Sequence, residues 1–289
     1  MNRNAMKRFL VGGFELGLCA ALAWGCATAR STLVEDAAGD DYGPGGYRYP
    51  AHPAFPKGSF DLRSVRFYRE ARHWVFEVEF EGRLETTLVR VGRDDPRELF
   101  PQTVDIYLAF LSQENAHREA LPGRNLRFSD GSGWSQAVIL SPVPGLLKQA
   151  LQKTTTLAGD VIVPERVQVL GRKLRGKVPV IDLGEEPPAS LAVVVSGTRF
   201  SRSFEVVDKV RGSMAPEGLC LPVEASAGEC RLDDPEGQGC AFSGCDPCGA
   251  HPQVIDILAG ENVQERRLKD YDPASGRTAA IEMITLVGE

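Results

Sequence analysis

The sequence predicts an all-β protein: an antiparallel β-sandwich, jelly-roll-like, with short helices and a cysteine-rich insertion. Three observations predict it. Short segments alternate apolar and polar residues with the period of two that a half-buried strand imposes. Turn formers are abundant, with 30 Gly and 19 Pro in 289 residues, and they separate those segments at roughly even spacing. Helical patterning is confined to two short stretches, 145–153 and 262–270. Hydrophobic residues at 43% and charged residues at 25% are the mixture of a folded core and exclude a disordered chain. A net charge of −6, from 33 Lys+Arg against 39 Asp+Glu, excludes a nucleic-acid module, which needs a basic face.

The chain opens on an address. Arg3, Lys7 and Arg8 precede an apolar run from Phe9 to Trp24, broken only by Glu15, and then come the small residues Gly25 to Ala29. That order is a secretory signal over residues 1–29, which predicts export to the periplasm or cell surface. Two processing routes compete. Ala27-Thr28-Ala29 is an A-x-A site. Gly25-Cys26 resembles the end of a lipobox, which would make Cys26 the lipidated residue of an outer-membrane lipoprotein, although Ala23 stands where Leu is usual. No later stretch reaches the ~18 apolar residues of a membrane-spanning helix. Residues 31–289 are expected to form one domain.

Within that domain, residues 39–58 read as loop, with turn residues at Gly43-Pro44-Gly45-Gly46. Phe60 and Leu62 share one phase and Val65 and Phe67 the other, so the alternation slips near Arg63-Ser64, which predicts a β-bulge. Trp74, Phe76, Val78 and Phe80 alternate with Val75, Glu77 and Glu79, a strand with one charged face. Val104, Ile106, Leu108 and Phe110 alternate with Asp105, Tyr107 and Ala109; both faces are partly apolar, which predicts a central strand. Further strands are expected at 84–91, 136–141, 160–163, 166–170, 178–183, 191–196, 253–258 and 279–287.

Five of the seven cysteines, Cys220, Cys230, Cys240, Cys245 and Cys248, fall in the insertion 218–250. In an exported chain such clustering predicts local disulfides, with one thiol left over and the pairing open. The C-x4-C-x2-C spacing of the last three also occurs in iron–sulfur proteins, and zinc is a second metal reading of the cluster, but the oxidising compartment favours a stapled loop. The usual catalytic templates are missing: there is no G-x-S-x-G, H-E-x-x-H, S-x-x-K or phosphate-binding loop, and the four histidines are scattered. The sequence therefore predicts no enzyme.

Two constellations remain. Asp36, Asp40 and Asp41 concentrate charge in a glycine-rich turn, and Asp61 opens the next strand. A hard cation such as Ca²⁺ takes six to eight oxygens at such a turn; the competing reading is an acidic linker. Tyr42, Tyr47 and Tyr49 crowd one loop, and Trp134 sits in Asp130-Gly131-Ser132-Gly133-Trp134. Amphipathic rings of this kind hold sugars when exposed and fill cores when not.

The run Gly39 to Pro50, G-D-D-Y-G-P-G-G-Y-R-Y-P, followed by G-S-F-D-L at 58–62, closely resembles the C-terminal module of glucodextranase, an S-layer-homology-like module also found in some amylopullulanases. T-V-D-I-Y-L at 103–108, A-L-P-G-R-N-L-R-F at 120–128, P-Q-V-I-D-I-L at 252–258 and Tyr271-Asp272 follow in the same order. The resemblance implies a sandwich similar to family-nine carbohydrate-binding and DOMON-like folds, non-catalytic and holding a glycan or cell-wall polysaccharide. It also implies structural calcium near the amino-terminal acidic turn, through Asp36, Asp40 and Asp61. Ala109 stands where that family's pattern carries another acid. The sequence is expected to be the module alone, without an attached glycosidase, and the alternative is an envelope structural or assembly lipoprotein that uses the sandwich for contacts with an envelope protein.

Overall fold

The computed structural model describes residues 31–286 apart from 46, 50–54, 91–95, 115–116, 122, 155, 198–223 and 226–249. The expected signal sequence, Cys26 and all five clustered cysteines lie outside the described residues. The strands are β1 (Ser31–Glu35), β2 (Tyr47–Arg48), β3 (Leu62–Glu70), β4 (His73–Phe80), β5 (Thr87–Arg90), β6 (Pro96–Leu99), β7 (Gln102–Ala109), β8 (Leu126–Phe128) and β9 (Gln136–Leu140). They continue with β10 (Val161–Ile162), β11 (Val167–Leu170), β12 (Lys173–Pro179), β13 (Ser190–Gly197), β14 (Glu224–Ala225), β15 (Asp256–Ile257), β16 (Ala279–Ile281) and β17 (Ile284–Thr285). Three short helices interrupt them: α1 (Pro144–Thr154), α2 (Val180–Leu183) and α3 (Gln264–Leu268). None of these is long and apolar enough to cross a membrane.

Two sheets face each other, as the alternation predicts. One has the order β1-β3-β4-β12-β11 and is antiparallel throughout. The other has the order β10-β9-β7-β13-β15, with β17 also paired to β13 and a parallel β9–β10 pair at its edge. Phe67, Phe76, Val78 and Leu174 from the first sheet meet Val104, Ile106, Leu108 and Val193 from the second in one core. The outer face of the first sheet is wet and carries cross-strand ion pairs such as Lys173 to Glu79 at 3.0 Å.

The second sheet is covered on both faces. Tyr107, Ala192 and Val194 point away from the sandwich core into a second cluster with Trp134, Leu147 and Leu268. All eight residues of β7 are therefore buried, and β7 lies between β9 and β13. The bulge falls where the phase slips: the β3–β4 register shifts between Leu62 and Ser64, so Arg63 is the extra residue.

Several expected strands need correction. Only the start of 178–183 is strand. After Pro179, which has no N–H to extend the ladder, the chain turns into α2, where Val180 and Leu183 are buried at i and i+3 while Ile181 is 90% exposed. The 253–258 segment pairs only at Asp256–Ile257. The 279–287 segment splits between β16, paired to β8, and β17, paired to β13. Among the described residues of 84–91, only Thr87–Arg90 is strand, in a ladder with β6. β1 is a strand that the alternation did not predict, and all five of its residues pair with β3.

Candidate metal centre

The acidic turn lies at the end of the sandwich where β1 finishes and β3 begins. Asp36 follows β1 directly, and its N–H donates to the carbonyl of Arg63 at 2.9 Å, so the bulge in β3 sets its position. Its Oδ1 accepts the N–H of Ala259 at 2.8 Å. Asp61 Oδ2 accepts the N–H of Gly39 at 2.8 Å. Gly39 sits at φ +78°, a left-handed conformation that a side chain resists, so glycine here lets the turn aim its N–H back at the strand.

On the other flank of Asp61, the Glu81 N–H donates to the Asp61 carbonyl at 2.8 Å and the Gly82 N–H to that of Gly58 at 2.7 Å. A Cβ on Gly82 would lie 2.5 Å from the Lys57 carbonyl oxygen, so glycine is required for this close approach.

A fourth acid joins them from the far end of the chain. Asp256 in β15 accepts the Leu62 N–H at 2.6 Å through Oδ2 and the Ile257 N–H at 2.8 Å through Oδ1. Asp36, Asp40 and Asp256 each place a carboxylate oxygen within 4.8 Å of the others. Gln264 of α3 braces the group. Its Oε1 accepts the Ile257 N–H at 2.7 Å, and its Nε2 donates to the carbonyl of Asp40.

The chemistry of this group is unbalanced. Asp36 Oδ2, both carboxylate oxygens of Asp40 and Asp61 Oδ1 are buried without a hydrogen-bond partner. Buried polar atoms are nearly always paired, and buried charges more so, because desolvation costs several kcal/mol per ion. Burial pushes the Asp36 carboxyl up to about 8 against the pull of the Ala259 N–H, and the charges of Asp40 and Asp61 push the same way. Asp61 is raised to about 7, by burial first and then by the charge of Asp41. Burial also raises Asp40, and raises the fully buried Asp256 well above the usual carboxylate range with help from Asp36 and Asp40. A hard divalent cation suits this all-oxygen donor set and would supply the missing positive charge.

Asp41 is differently placed. Its Oδ2 accepts the hydroxyl of Tyr49, whose oxygen in turn accepts the Phe60 N–H at 3.0 Å, so this carboxylate is already partnered. The two residues that sequence reasoning missed are Asp256 and Gln264. A carboxylate inside the apolar run Val254-Ile255-Asp256-Ile257-Leu258 was a legible signal; nothing in the sequence marks Gln264.

The four aromatic candidates do not form an open platform. Tyr47 is buried; its hydroxyl donates to the Pro252 carbonyl at 2.5 Å, and its ring stacks 5.9 Å from His251. Trp134 is wholly buried beneath Tyr107 and His117, with Nε1 donating to the Glu119 carbonyl at 2.9 Å. Tyr49 is half-buried, with its ring edge-on to Phe60. Tyr42 is also half-buried, in the turn itself. Tyr47 and Trp134 are thus core residues, and their ring faces are taken.

The sequence model of one family matches residues 32–284: the C-terminal binding-module, SLH-like, of glucodextranase. A comparison with curated proteins found no match.

Proposed function

The chain belongs to the family of SLH-like C-terminal binding modules of glucodextranase, and we propose that it is an exported, non-catalytic module that holds a cell-surface glycan while a calcium ion clamps its fold. Family membership supports the binding role. The calcium reading is carried by one observation, the four buried carboxylate oxygens without partners on Asp36, Asp40 and Asp61. Asp36, Asp40, Asp61 and Asp256 would hold the ion. The cation would tie together the exit of β1, the entry of β3 and β15, segments far apart in the chain. It supplies charge balance and rigidity, and no reaction is assigned to it.

Lipidation at Cys26 would keep the module on the envelope, with glycan as its partner. Two measurements test the reading. Calorimetric titration of chelator-stripped protein with Ca²⁺ is expected to give one ion per chain; no heat and no binding removes the clamp. A glycan array probed with calcium-loaded protein is expected to return surface polysaccharides. An empty array, together with an envelope protein recovered by crosslinking in cells, would replace the glycan by a protein partner.

A further inference from the structure

We propose that an anionic glycan, bearing carboxylate or phosphate groups, binds in a basic cleft at the open edge of the first sheet, away from the acidic turn. This rests on the glycan-holding reading above and gives it a place and a ligand class. The edge is open because β11 pairs with β12 only as far as Val167 opposite Gly176, whereas β12 continues along β4 to Pro179 opposite His73. Among the described residues, no strand pairs with Lys177 to Pro179 on that side. The chain from Val161 to Arg166 crosses from the second sheet to the first and walls the notch, leaving a cleft of about 600 Å³. That volume lies within the range of small-ligand sites, roughly 300–1,000 Å³.

Lys148, Arg166, Arg175 and Lys177 line the cleft, against Glu165 and Asp182. On a chain of net charge −6 this is a local reversal of sign. Two of the cations are held from outside: Arg175 by Glu70 at 3.1 Å and Glu77 at 3.4 Å, and Lys177 by Glu70 at 2.8 Å. These pairs orient the two side chains but neutralise part of their charge. Lys148 and Arg166 are exposed and have no carboxylate partner among the described residues, so they are free to meet an anion.

The cleft has no exposed tyrosine or tryptophan in its lining, so recognition there is by charge and hydrogen bonds and not by ring stacking. The acidic turn lies next to β1, at the opposite edge of the same sheet, so its cation does not bridge the ligand.

The test uses the whole calcium-loaded protein in affinity electrophoresis and titration against oligogalacturonate, a phosphodiester-linked glycan polymer, neutral dextran and phosphatidylglycerol vesicles. Binding to either or both of the charged glycans is expected, and which one binds identifies the anionic group. The interaction should weaken as salt rises from 0.05 to 0.5 M. The double variant Lys148→Glu, Arg166→Glu should lose at least tenfold in affinity while melting and binding Ca²⁺ like the parent. The exposed Lys269→Glu change serves as the control and should leave affinity intact. Binding to neutral dextran alone, or equal affinity in the double variant, overturns the cleft while leaving the glycan-holding reading in place. Retention on vesicles without binding to either charged glycan also overturns it.

Discussion

Among the described residues, the protein buries charge in two places and balances it in two ways. Under the second sheet, Arg124 reaches Asp105 with two hydrogen bonds, Nε to Oδ2 at 2.6 Å and Nη2 to Oδ1 at 3.0 Å. Both side chains are almost completely buried. At the end of the sandwich, Asp36, Asp40 and Asp256 gather with Asp61 beside them, and Arg63, the cation whose charge reaches Asp40 and Asp61, is shared with Glu81 at 3.4 Å. In the first place the chain supplies its own counter-charge, and the pair is complete once the protein is folded. In the second, the proposed calcium would bring the balancing charge from solution, and the stability of that end would then depend on conditions. With the proposed calcium, the same cost of desolvating a carboxylate would yield a permanent staple in one region and a conditional one in the other.

The largest effect is expected from unbalancing the permanent staple. Arg124→Ala leaves Asp105 buried without its partner and should cost about 3–5 kcal/mol. Chemical denaturation should show the loss both with calcium and with chelator. The Arg124 carbonyl accepts the Gln253 N–H at 3.0 Å, and the neighbouring Asn125 Nδ2 donates to the His251 carbonyl at 2.9 Å. The damage should therefore reach the segment that carries Asp256, and calcium affinity should fall as well. A loss under about 1 kcal/mol would mean that water satisfies Asp105 when Arg124 is gone.

Calcium removal comes next. An ion at 100 times its dissociation constant stabilises the folded state by about 2.7 kcal/mol. For a domain of this size that is a rise in melting temperature of roughly 5–10 °C. Equal melting curves with calcium and with chelator would end the conditional half of the comparison. Asp256→Asn separates the ion from the fold. The amide keeps an oxygen that can still accept the Leu62 or Ile257 N–H, but it removes one of four converging charges. The calcium-dependent shift should shrink to a degree or two, while the chelator-treated variant should melt no lower than the chelator-treated parent. A variant that is less stable in both conditions would assign Asp256 a purely structural role.

The contrast also explains what the sequence made legible. Strand phase follows from side-chain burial, a local property, so the bulge at Arg63 and the doubly buried β7 could be read from alternation alone. Asp36, Asp40 and Asp61 could be singled out because they are close in sequence and set among glycines. Asp256 comes from some 200 residues further on, and only the β15 pairing with β13 brings it to the turn. Tyr47 and Trp134 were ambiguous for a related reason. A ring with a polar tip suits a core or a sugar site equally well, and the choice was made by partners distant in sequence, the Pro252 carbonyl in one case and the layer over Tyr107 in the other. The helix at 180–183 was hidden because Val178 and Val180 continue a period of two across Pro179.

pH provides a further test of the acidic turn. Asp36 is raised to about 8 and Asp61 to about 7, both above the unfolded value near 3.8. With folded values raised, the native state binds more protons than the unfolded state between those limits. Stability in chelator should then be highest below about pH 4, as far as these groups are concerned, and should fall as pH rises toward 8. Saturating calcium should flatten that fall by holding the carboxylates ionised. A chelator-treated protein equally stable at pH 5 and pH 8 would mean that the four acids are better solvated than their burial implies.

The smallest effect is expected where charge is neither buried nor isolated. Glu265 and Lys269 pair across one turn of α3, and both side chains are more than half exposed, at 57% and 58%. Water screens such a pair, and holding two long side chains together costs entropy, so Lys269→Ala should change stability by no more than about 0.5 kcal/mol. The position is informative because α3 also carries Gln264, the brace between Asp40 and Ile257. If exposed charge is inert, the calcium response of this variant should match that of the parent. A weakened response with unchanged stability would show that the surface pair sets the position of α3, and through Gln264 the shape of the acidic turn.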